Sequence, residues 1–279
     1  MISKAKALVS ILLALAILLV AGAATAAGLD AFSGKSGKID IAGGTAHIPV
    51  MKEAAKRIMQ TSPEIVITVA GGGSGVGVQK AGEGLVQIGN TGRAVSDEEV
   101  AKYGLVSFPF AIDGVAVVIN PKNSVKELTA QQVKDVYEGK IANWKDVGGD
   151  DAPINLYTRD EASGTREVFW EKLLKKGPIA SSANVVASNG AMKTAVAQDP
   201  AAIGYVSIGH IDDSIKAPLL EGVAPNQENA ASGTYPVARK LYMNTKGEPE
   251  GLTKSFIEYI LSPEGATIIE ASGYIPIKK

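Results

Sequence analysis

The residues with the clearest capacity for chemistry lie in one segment, residues 157–166, which reads Tyr-Thr-Arg-Asp-Glu-Ala-Ser-Gly-Thr-Arg. An amphipathic helix is predicted directly after it, over residues 167–174. The unpaired N–H groups and partial positive charge of a helix N-terminus can hold an oxyanion. Arg159 can add a two-pronged, charge-assisted contact, and Glu161 is well spaced to hold that guanidinium in place. The segment therefore predicts an anion-binding helix N-terminus.

The same segment supplies two hydroxyl groups. Ser163 and Thr165 can donate hydrogen bonds, and Gly164 between them has no Cβ to hinder a close approach of the backbone. A simple helix cap beside a surface arginine is the alternative interpretation of this segment. Other segments of the sequence distinguish an anion-binding site from a simple helix cap.

Two further turns share this design. Thr45 follows a strand predicted over residues 38–42, and Ser74 follows a strand predicted over residues 64–70. Both lie in glycine-containing turns. In an open α/β sheet, ligands bind at the carboxyl ends of the strands, so loops of this kind can converge on one crevice. Together they predict a site for a tetrahedral oxyanion, built from hydroxyls, amides and one arginine.

Catalytic and nucleotide-binding alternatives find less support. Residues 71–77 form a glycine run, but it lacks the Gly-Lys-Ser/Thr ending of a P-loop and the spacing of a dinucleotide fingerprint. His47 follows Thr45 closely, yet a histidine at a helix start usually packs or makes a structural hydrogen bond. No nucleophile–base pair is evident, so we expect a binding protein rather than an enzyme.

The composition excludes several classes of protein. The net charge of −1 and well-mixed charges argue against a nucleic-acid partner. The absence of cysteine excludes disulfides, thiolate catalysis and cysteine-bound metals. With only 2 histidines, a histidine metal site is not expected, and the sequence calls for no cofactor.

The N-terminus has the pattern of an export signal. Lys4 and Lys6 precede an apolar run over residues 8–20, and small residues follow at 24–27. We predict a signal peptide over residues 1–27, with an uncleaved N-terminal anchor as the alternative.

Strand-like runs alternate with helical periodicity along the remaining chain, which indicates an α/β fold and has room for two domains. Ser96 with Glu99, and Thr129 with Gln132, form capping boxes. Asn189 is predicted to cap another helix. Further strands are predicted over residues 85–89, 154–158, 202–207 and 237–243, helices over 50–60, 252–261 and 263–271, and a loop over 217–234. Residues 106–120 contain two apolar stretches around Asp113-Gly114.

From residue 41 to residue 277 the chain resembles the phosphate-binding proteins that deliver phosphate to ATP-binding-cassette importers. The residues that carry the resemblance keep the family's order and spacing over nearly the whole mature chain. They are Gly44-Thr45-Ala46, Gly73-Ser74-Gly75 and residues 88–93, 113–121, 139–144, 159–166 and 203–206.

The resemblance implies a set of phosphate ligands. They are Thr45, the Ala46 amide, Ser74, Arg159, Ser163, Gly164 and Thr165, and Glu161 matches an acid that braces the arginine. It also implies inorganic phosphate and permease subunits with a cytoplasmic ATPase as partners, and a monomer is expected.

The sequence departs from the family at one position of consequence. Well-studied members carry an aspartate after the strand equivalent to residues 86–89, and this acid accepts a hydrogen bond from the proton on phosphate and so selects against sulfate, whereas some shorter members have an arginine there. Here residues 90–93 read Asn-Thr-Gly-Arg, without an acid. Thr91 could supply the acceptor, another acid could reach in, or the site could be less selective. Arg93 could touch the anion directly or only brace its loop.

The expected fold is the two-lobed periplasmic-binding-protein fold of type II, with two crossover strands and a ligand cleft between the lobes. Residues 37–109 plus 238–279 form lobe 1 and residues 113–235 lobe 2, with hinges near residues 110–113 and 236–238. The expected function is extracytoplasmic capture of phosphate for an importer. Alternatives are a carrier of sulfate, molybdate or tungstate, a secreted phosphatase using Ser74 or Ser163 as nucleophile, or a ligand sensor.

Overall fold

The computed structural model describes residues 28–277, and this part of the chain has a mixed α/β fold. The signal peptide predicted over residues 1–27 lies outside the described residues. The strands of the described part are β1 (Gly37–Gly43), β2 (Ile65–Gly72), β3 (Ile88–Thr91), β4 (Leu105–Ile119), β5 (Glu127–Leu128), β6 (Asn155–Arg159), β7 (Asn184–Val186), β8 (Ala202–Ser207), β9 (Leu219–Leu220), β10 (Ala238–Lys246) and β11 (Ile275–Pro276).

Helices follow most of the strands. They are α1 (Ile48–Thr61), α2 (Ser74–Gly82), α3 (Asp97–Tyr103), α4 (Ala130–Tyr137), α5 (Gly164–Lys172), α6 (Asn189–Gln198), α7 (Gln227–Ser232), α8 (Gly251–Ile260) and α9 (Pro263–Ala271). Short 3₁₀ turns cover Leu29–Phe32, Thr45–His47, Trp144–Val147 and Ile208–His210. Within residues 28–277, none of the helices has the length and apolar character that crossing a bilayer requires.

The strands form one large sheet and one small one. Within residues 28–277 the large sheet has 9 strands, in the order β2-β1-β3-β10-β4-β8-β6-β7, with β11 paired to β4. β1 runs parallel to β2 and β3, and β6 runs parallel to β7 and β8. β10 is antiparallel to both β3 and β4. Two parallel groups are therefore joined through the antiparallel strands β4 and β10.

β4 and β10 also connect two apolar cores. Phe110 and Ala111 of β4 and Leu241 of β10 pack in the first core, with side chains of α1, α8 and α9. Further along β4, Val115 and Val117 pack in the second core, with side chains of α4 and α5. A long strand can enter two cores because its 15 residues extend well past the width of either one. The chain therefore passes between the cores along these strands.

Glycines set the distance between α2 and β3. A Cβ at Gly89 would lie 2.1 Å from the carbonyl oxygen of Gly77, and one at Gly77 would lie 2.4 Å from the carbonyl oxygen of Asn90. Only glycine at both positions allows this backbone contact. The contact fixes where α2 begins, and with it the position of Ser74.

Several predicted elements are confirmed. Both capping boxes are present, at the starts of α3 and α4, and the strand over residues 202–207 has the predicted bounds. The predicted helix over 167–174 is longer at its start, because it begins at Gly164 with Ser163 as its cap. The start predicted for β3 was wrong, since Leu85 is an exposed turn residue. The loop predicted over residues 217–234 contains β9 and α7.

The close contact between α2 and β3 leads to a stability prediction. We expect Gly89→Ala to lower the free energy of unfolding by about 2 kcal/mol, because the new methyl group would overlap the α2 backbone. Gly190→Ala in α6 is the matched control, since the nearest atom to its Cβ would lie 3.8 Å away. That control should be neutral or slightly stabilising in the same urea titration. Equal stabilities of the two variants would contradict this account of the α2–β3 contact.

Candidate functional site

A small cavity lies where the two cores meet, at the carboxyl ends of β1, β2, β3 and β6. Its empty volume is about 180 Å³, below the range of pockets that hold drug-sized organic ligands. It is lined by Gly44, Thr45, Ala46, His47, Gly73, Ser74, Gly92, Arg159, Ser163, Gly164, Thr165 and Arg239. The size and polar lining suit a small inorganic ion.

Thr45 reaches the cavity from the turn after β1. Its hydroxyl accepts hydrogen bonds from the backbone N–H of Asn189, at 3.2 Å, and from its Nδ2, at 3.0 Å. Asn189 is fully buried, and its Oδ1 accepts the N–H of Ser207 at 3.0 Å. The predicted cap role of Asn189 was wrong, because Ser188 caps α6. The Asn189 side chain instead connects the β1 turn to the end of β8.

Ser74 is the first residue of α2, and Gly73 before it has a φ of 89°, a backbone conformation that favours glycine. The hydroxyl of Ser74 accepts the N–H of Gly92 at 2.9 Å. A Cβ at Gly164 would lie 2.1 Å from the Ser74 hydroxyl oxygen. Gly164 therefore lets the loop after β6 approach the start of α2 closely.

Ser163 and Thr165 stand at the start of α5. The hydroxyl of Ser163 accepts the N–H of Arg166 at 3.2 Å, which is the N-cap interaction. The hydroxyl of Thr165 accepts a hydrogen bond from Nη1 of Arg239 at 3.1 Å. The first amides of a helix have no acceptor within it, so they are available to an anion.

Arg159 is the last residue of β6 and only 1% exposed. Its Nε donates to the carbonyl oxygen of Val186 at 3.0 Å and its Nη2 to that of Ala187 at 3.1 Å. Burial lowers the pKa of Arg159 below its usual range, although a guanidinium stays charged at neutral pH. Nη1 has no hydrogen-bond partner among residues 28–277. A buried cation is thus held by neutral carbonyls, with one donor group free.

A second guanidinium lines the cavity from β10. Arg239 pairs with the buried Asp113, whose Oδ2 lies 2.8 Å from Nε and 2.7 Å from Nη2. Nη1 of Arg239 also donates to the carbonyl oxygen of Gly92 at 3.3 Å. Burial raises the pKa of Asp113, and the guanidinium of Arg239 opposes this rise. Arg239 therefore contacts the loop after β3 and the start of α5 at once.

His47 lies in the turn after β1 and is completely buried. Burial, and then the nearby charge of Arg239, lower the pKa of its imidazole to about 3. Its ring centroid lies 5.5 Å from that of Phe110. Neither ring nitrogen has a hydrogen-bond partner among residues 28–277. His47 is therefore neutral at physiological pH, and its ring lies near backbone groups of Tyr242, Thr91 and Gly44 without a hydrogen bond of good geometry to the described residues.

Three predicted site residues lie outside the cavity lining. Thr91 is buried, but its hydroxyl donates to the carbonyl oxygen of Arg93 and accepts from Asn244, at 2.8 and 3.0 Å. Arg93 pairs with Glu99 and Glu167 at 2.7 and 2.6 Å, so it braces its loop. Glu161 is exposed and does not pair with Arg159, whose donors turn to carbonyls instead. The structure brings the other predicted residues together; these are Thr45, Ala46, Ser74, Arg159, Ser163, Gly164 and Thr165.

Sequence reasoning missed Arg239 and Asp113. Arg239 occupies the same face of β10 as the buried Leu241 and Met243, whereas Lys240 points outward. A charged residue in the buried register of a strand needs a partner or a ligand. The position of Arg239 among the buried residues of this strand could therefore have identified it from the sequence as a candidate site residue.

The arrangement can bind an anion through donors from both cores. Neither Ser74 nor Ser163 donates its proton to an imidazole or a carboxylate within residues 28–277. Over the same residues, histidine and carboxylate side chains form no group that could hold a metal ion. The chemistry that these groups support is hydrogen bonding to a tetrahedral oxyanion.

Comparison with known families places the sequence within one of them. Residues 23–264 match the family model described as PBP superfamily domain. The phosphate-binding protein PstS of Bacillus subtilis (strain 168) is 35% identical, over 98% of this chain and 95% of its own length. PstS of Pseudomonas aeruginosa (strain PAO1) is 30% identical, over 88% and 84% of the two chains.

Solved structures give the same result. A candidate phosphate ABC transporter substrate-binding protein from Clostridium perfringens, crystallised with bound phosphate, superposes with a TM-score of 0.82 at 36% identity. The match covers 87% of this chain and 100% of the other. An ABC-type phosphate transport receptor from Vibrio cholerae superposes with a TM-score of 0.69 at 36% identity, covering 85% and 99%.

The buried imidazole at the cavity predicts a pH dependence of stability. His47 stays neutral in the folded protein down to about pH 3, whereas an unfolded histidine takes up a proton below about pH 6.5. The unfolded state therefore binds more protons, and the free energy of unfolding falls as the pH falls through this window. Between pH 7 and pH 5 the contribution of one such imidazole is about 2 kcal/mol.

Urea titrations of the unmodified protein and of His47→Phe at both pH values measure this contribution. We expect the loss of stability between pH 7 and pH 5 to be smaller in the variant by about that amount. His210, whose pKa burial lowers to about 4, is present in both proteins and cancels in the comparison. The same pH dependence in both proteins would rule out a buried neutral His47.

Proposed function

The chain belongs to the PBP superfamily and has its two-lobed α/β fold, and from this premise we propose that it captures inorganic phosphate outside the cytoplasm and delivers it to an ABC importer. Its relatives are named phosphate-binding protein PstS, and the C. perfringens relative is a structure with bound phosphate. These names all describe binding or transport of the same oxyanion, phosphate.

One observation carries the proposal. The hydroxyls of Thr45, Ser74, Ser163 and Thr165 each accept a hydrogen bond from a protein N–H, so each has its own proton left to donate into the cavity. The free Nη1 of Arg159 adds a charged donor. A ring of donors around a space of about 180 Å³ is complementary to a small tetrahedral anion.

The proposed ligands come from both lobes. We assign residues 37–109 plus 238–279 to lobe 1 and residues 113–235 to lobe 2, consistent with the two cores joined by β4 and β10. Hinges near residues 110–113 and 236–238 would let the lobes separate. Thr45 and Ser74 then belong to lobe 1, and Arg159 to Thr165 to lobe 2, so anion binding and lobe closure are coupled.

Binding rather than turnover is the proposed activity. A serine nucleophile requires a base that takes its proton, and the protons of Ser74 and Ser163 have no such acceptor within residues 28–277. Their oxygens already accept backbone N–H groups, a role that suits a donor to a bound anion. This supports a binding protein over a phosphatase.

The proposed partners follow from the same role. An importer component of this kind meets permease subunits coupled to a cytoplasmic ATPase, and it works as a monomer outside the membrane. The apolar N-terminal segment, residues 8–20, supports export. Release of phosphate at the permease would require the two lobes to open.

Isothermal titration calorimetry with phosphate, followed by sulfate as a competitor, tests the proposal on the purified protein. Saturable one-to-one binding of phosphate, without product release from a chromogenic phosphate ester, is expected. Binding of molybdate, tungstate or sulfate in preference to phosphate would keep the fold and contradict the proposed cargo. Turnover of the ester would contradict the binding role.

Arg159 should be essential for affinity but not for folding. We expect Arg159→Met to weaken phosphate binding at least about 100-fold, because the buried charge that faces the anion is removed. The ligand-free variant should be at least as stable as the unmodified protein, since no carboxylate pairs with Arg159. Arg57→Met, which removes a half-buried arginine paired with Glu53 outside the cavity lining, is the control and should bind normally. Unchanged affinity of Arg159→Met would count decisively against this site.

Arg239 should contribute to phosphate affinity through the fixed arrangement of its guanidinium donors. Lysine keeps the charge near Asp113 but cannot reach Asp113, Gly92 and Thr165 together. We expect Arg239→Lys to weaken phosphate binding about tenfold or more and also to lower the urea midpoint, because buried hydrogen bonds to Gly92 and Thr165 are lost. Lys240→Ala, on the outward face of the same strand, should leave calorimetric affinity unchanged. Normal binding by Arg239→Lys would remove Arg239 from the proposed site.

A further inference from the structure

The cavity has many hydrogen-bond donors and few acceptors. The hydroxyl oxygens of Thr45, Ser74, Ser163 and Thr165 all accept protein N–H groups, which commits their protons to the ligand. Guanidinium groups can only donate. Such a lining satisfies the oxygen atoms of an anion, but it offers no partner to a proton that the anion itself carries.

Phosphate keeps at least one P–OH proton in neutral solution, whereas sulfate has none. A protein tells them apart when a buried acceptor meets that proton, because the same acceptor facing a sulfate oxygen is left unsatisfied. The residue that supplies this acceptor therefore determines the selectivity of the site.

The acids nearest the cavity do not supply the acceptor. Asp113 lies behind Arg239, and its oxygens accept hydrogen bonds from Arg239 and from the hydroxyl of Ser207. Glu99 and Glu167 pair with Arg93, away from the cavity lining. Glu161 is exposed to solvent. No aspartate or glutamate is among the described residues that line the cavity.

His47 has the properties that the acids lack. It lines the cavity, it is 0% exposed, and both of its ring nitrogens are without a hydrogen-bond partner among the described residues. Burial and the charge of Arg239 lower its pKa to about 3, so the neutral ring retains a lone pair on one nitrogen. A buried polar group that the protein leaves unpaired calls for a partner from the ligand.

The surroundings of the ring help to fix its orientation. Phe110 packs against it at a centroid distance of 5.5 Å. A Cβ at Gly44 would lie 2.6 Å from Nδ1, so glycine at this position is what allows the ring to fold over the β1 turn. Backbone groups of Tyr242, Thr91 and Gly44 lie near enough to raise its pKa slightly against the effect of burial. Carbonyls near the ring favour placing its single N–H toward them.

We propose that the imidazole of His47 accepts the hydrogen bond from the P–OH group of bound phosphate, and that His47 is the residue that selects phosphate over sulfate. This assignment rests on the proposed function, because it concerns the same cavity and the same ligand. It gives the site an acceptor without a carboxylate.

The test compares phosphate and sulfate binding by the unmodified protein and by His47→Phe. Phenylalanine keeps the ring packing on Phe110 and removes both nitrogens. Phosphate affinity should fall about tenfold or more, because the P–OH proton loses its acceptor, while sulfate affinity should stay the same or rise. The phosphate-to-sulfate ratio is therefore expected to collapse. An unchanged ratio in a variant that still binds anions overturns the assignment of His47.

A measurement on the unmodified protein covers the case in which the variant does not fold. The chain has 2 histidines, so ¹⁵N spectra contain two imidazole systems, and a His210→Gln variant assigns them. Saturation with phosphate should shift the unprotonated nitrogen of His47 in the direction of an accepted hydrogen bond, and sulfate should not. Identical shifts with the two anions overturn the proposal. If the unmodified protein binds no phosphate at all, the proposed function fails first, which calorimetry reveals separately.

Discussion

The structure of the site depends on one buried charge. Arg159 is 1% exposed, and its guanidinium donates only to the carbonyl oxygens of Val186 and Ala187 within the described chain. Removing a cation from water is costly unless an opposite charge compensates it. Arg239 has such compensation in Asp113, whereas Arg159 makes no salt bridge within the described residues, and the charge of Asp160 only partly opposes the effect of its burial. The proposed anion would supply the negative charge that Arg159 lacks in the cavity.

That charge is enclosed only because loops from both lobes meet around it. Asn189 reaches across to Thr45, Arg239 contacts both Gly92 and Thr165, and Gly75 donates its N–H to the carbonyl oxygen of Ala162 at 3.0 Å. Each contact joins segments that are far apart in sequence. The Asn189–Thr45, Arg239–Thr165 and Gly75–Ala162 contacts each connect opposite sides of the cavity, so the arrangement of the donors depends on them. An anion that binds to donors on both sides of the cavity would favour the arrangement in which those donors lie close together.

Local chemistry was predictable from the sequence, and long-range pairing was not. The capping boxes at Ser96 and Thr129 depend on residues three apart, and both were correctly predicted. Ser188 and Asn189 are both good caps, and only the fold decides that Ser188 caps while Asn189 binds Thr45 across the cavity. Glu161 was expected to hold Arg159, and Arg93 either to touch the anion or to brace its loop. Arg93 instead meets Glu167 across the chain, and Glu161 remains in solvent.

The choice of acceptor also sets the charge of the site. A carboxylate that accepts a hydrogen bond from the P–OH group of phosphate brings a negative charge next to the anion and offsets part of the attraction of Arg159. A neutral imidazole can accept the same hydrogen bond without that repulsion. Because Asp113 already neutralises Arg239, the positive charge of Arg159 then remains whole for the ligand. Under the proposed assignment, a neutral group recognises the phosphate proton although residues 90–93 contain no acid, and the attraction of the cavity for the anion is not reduced.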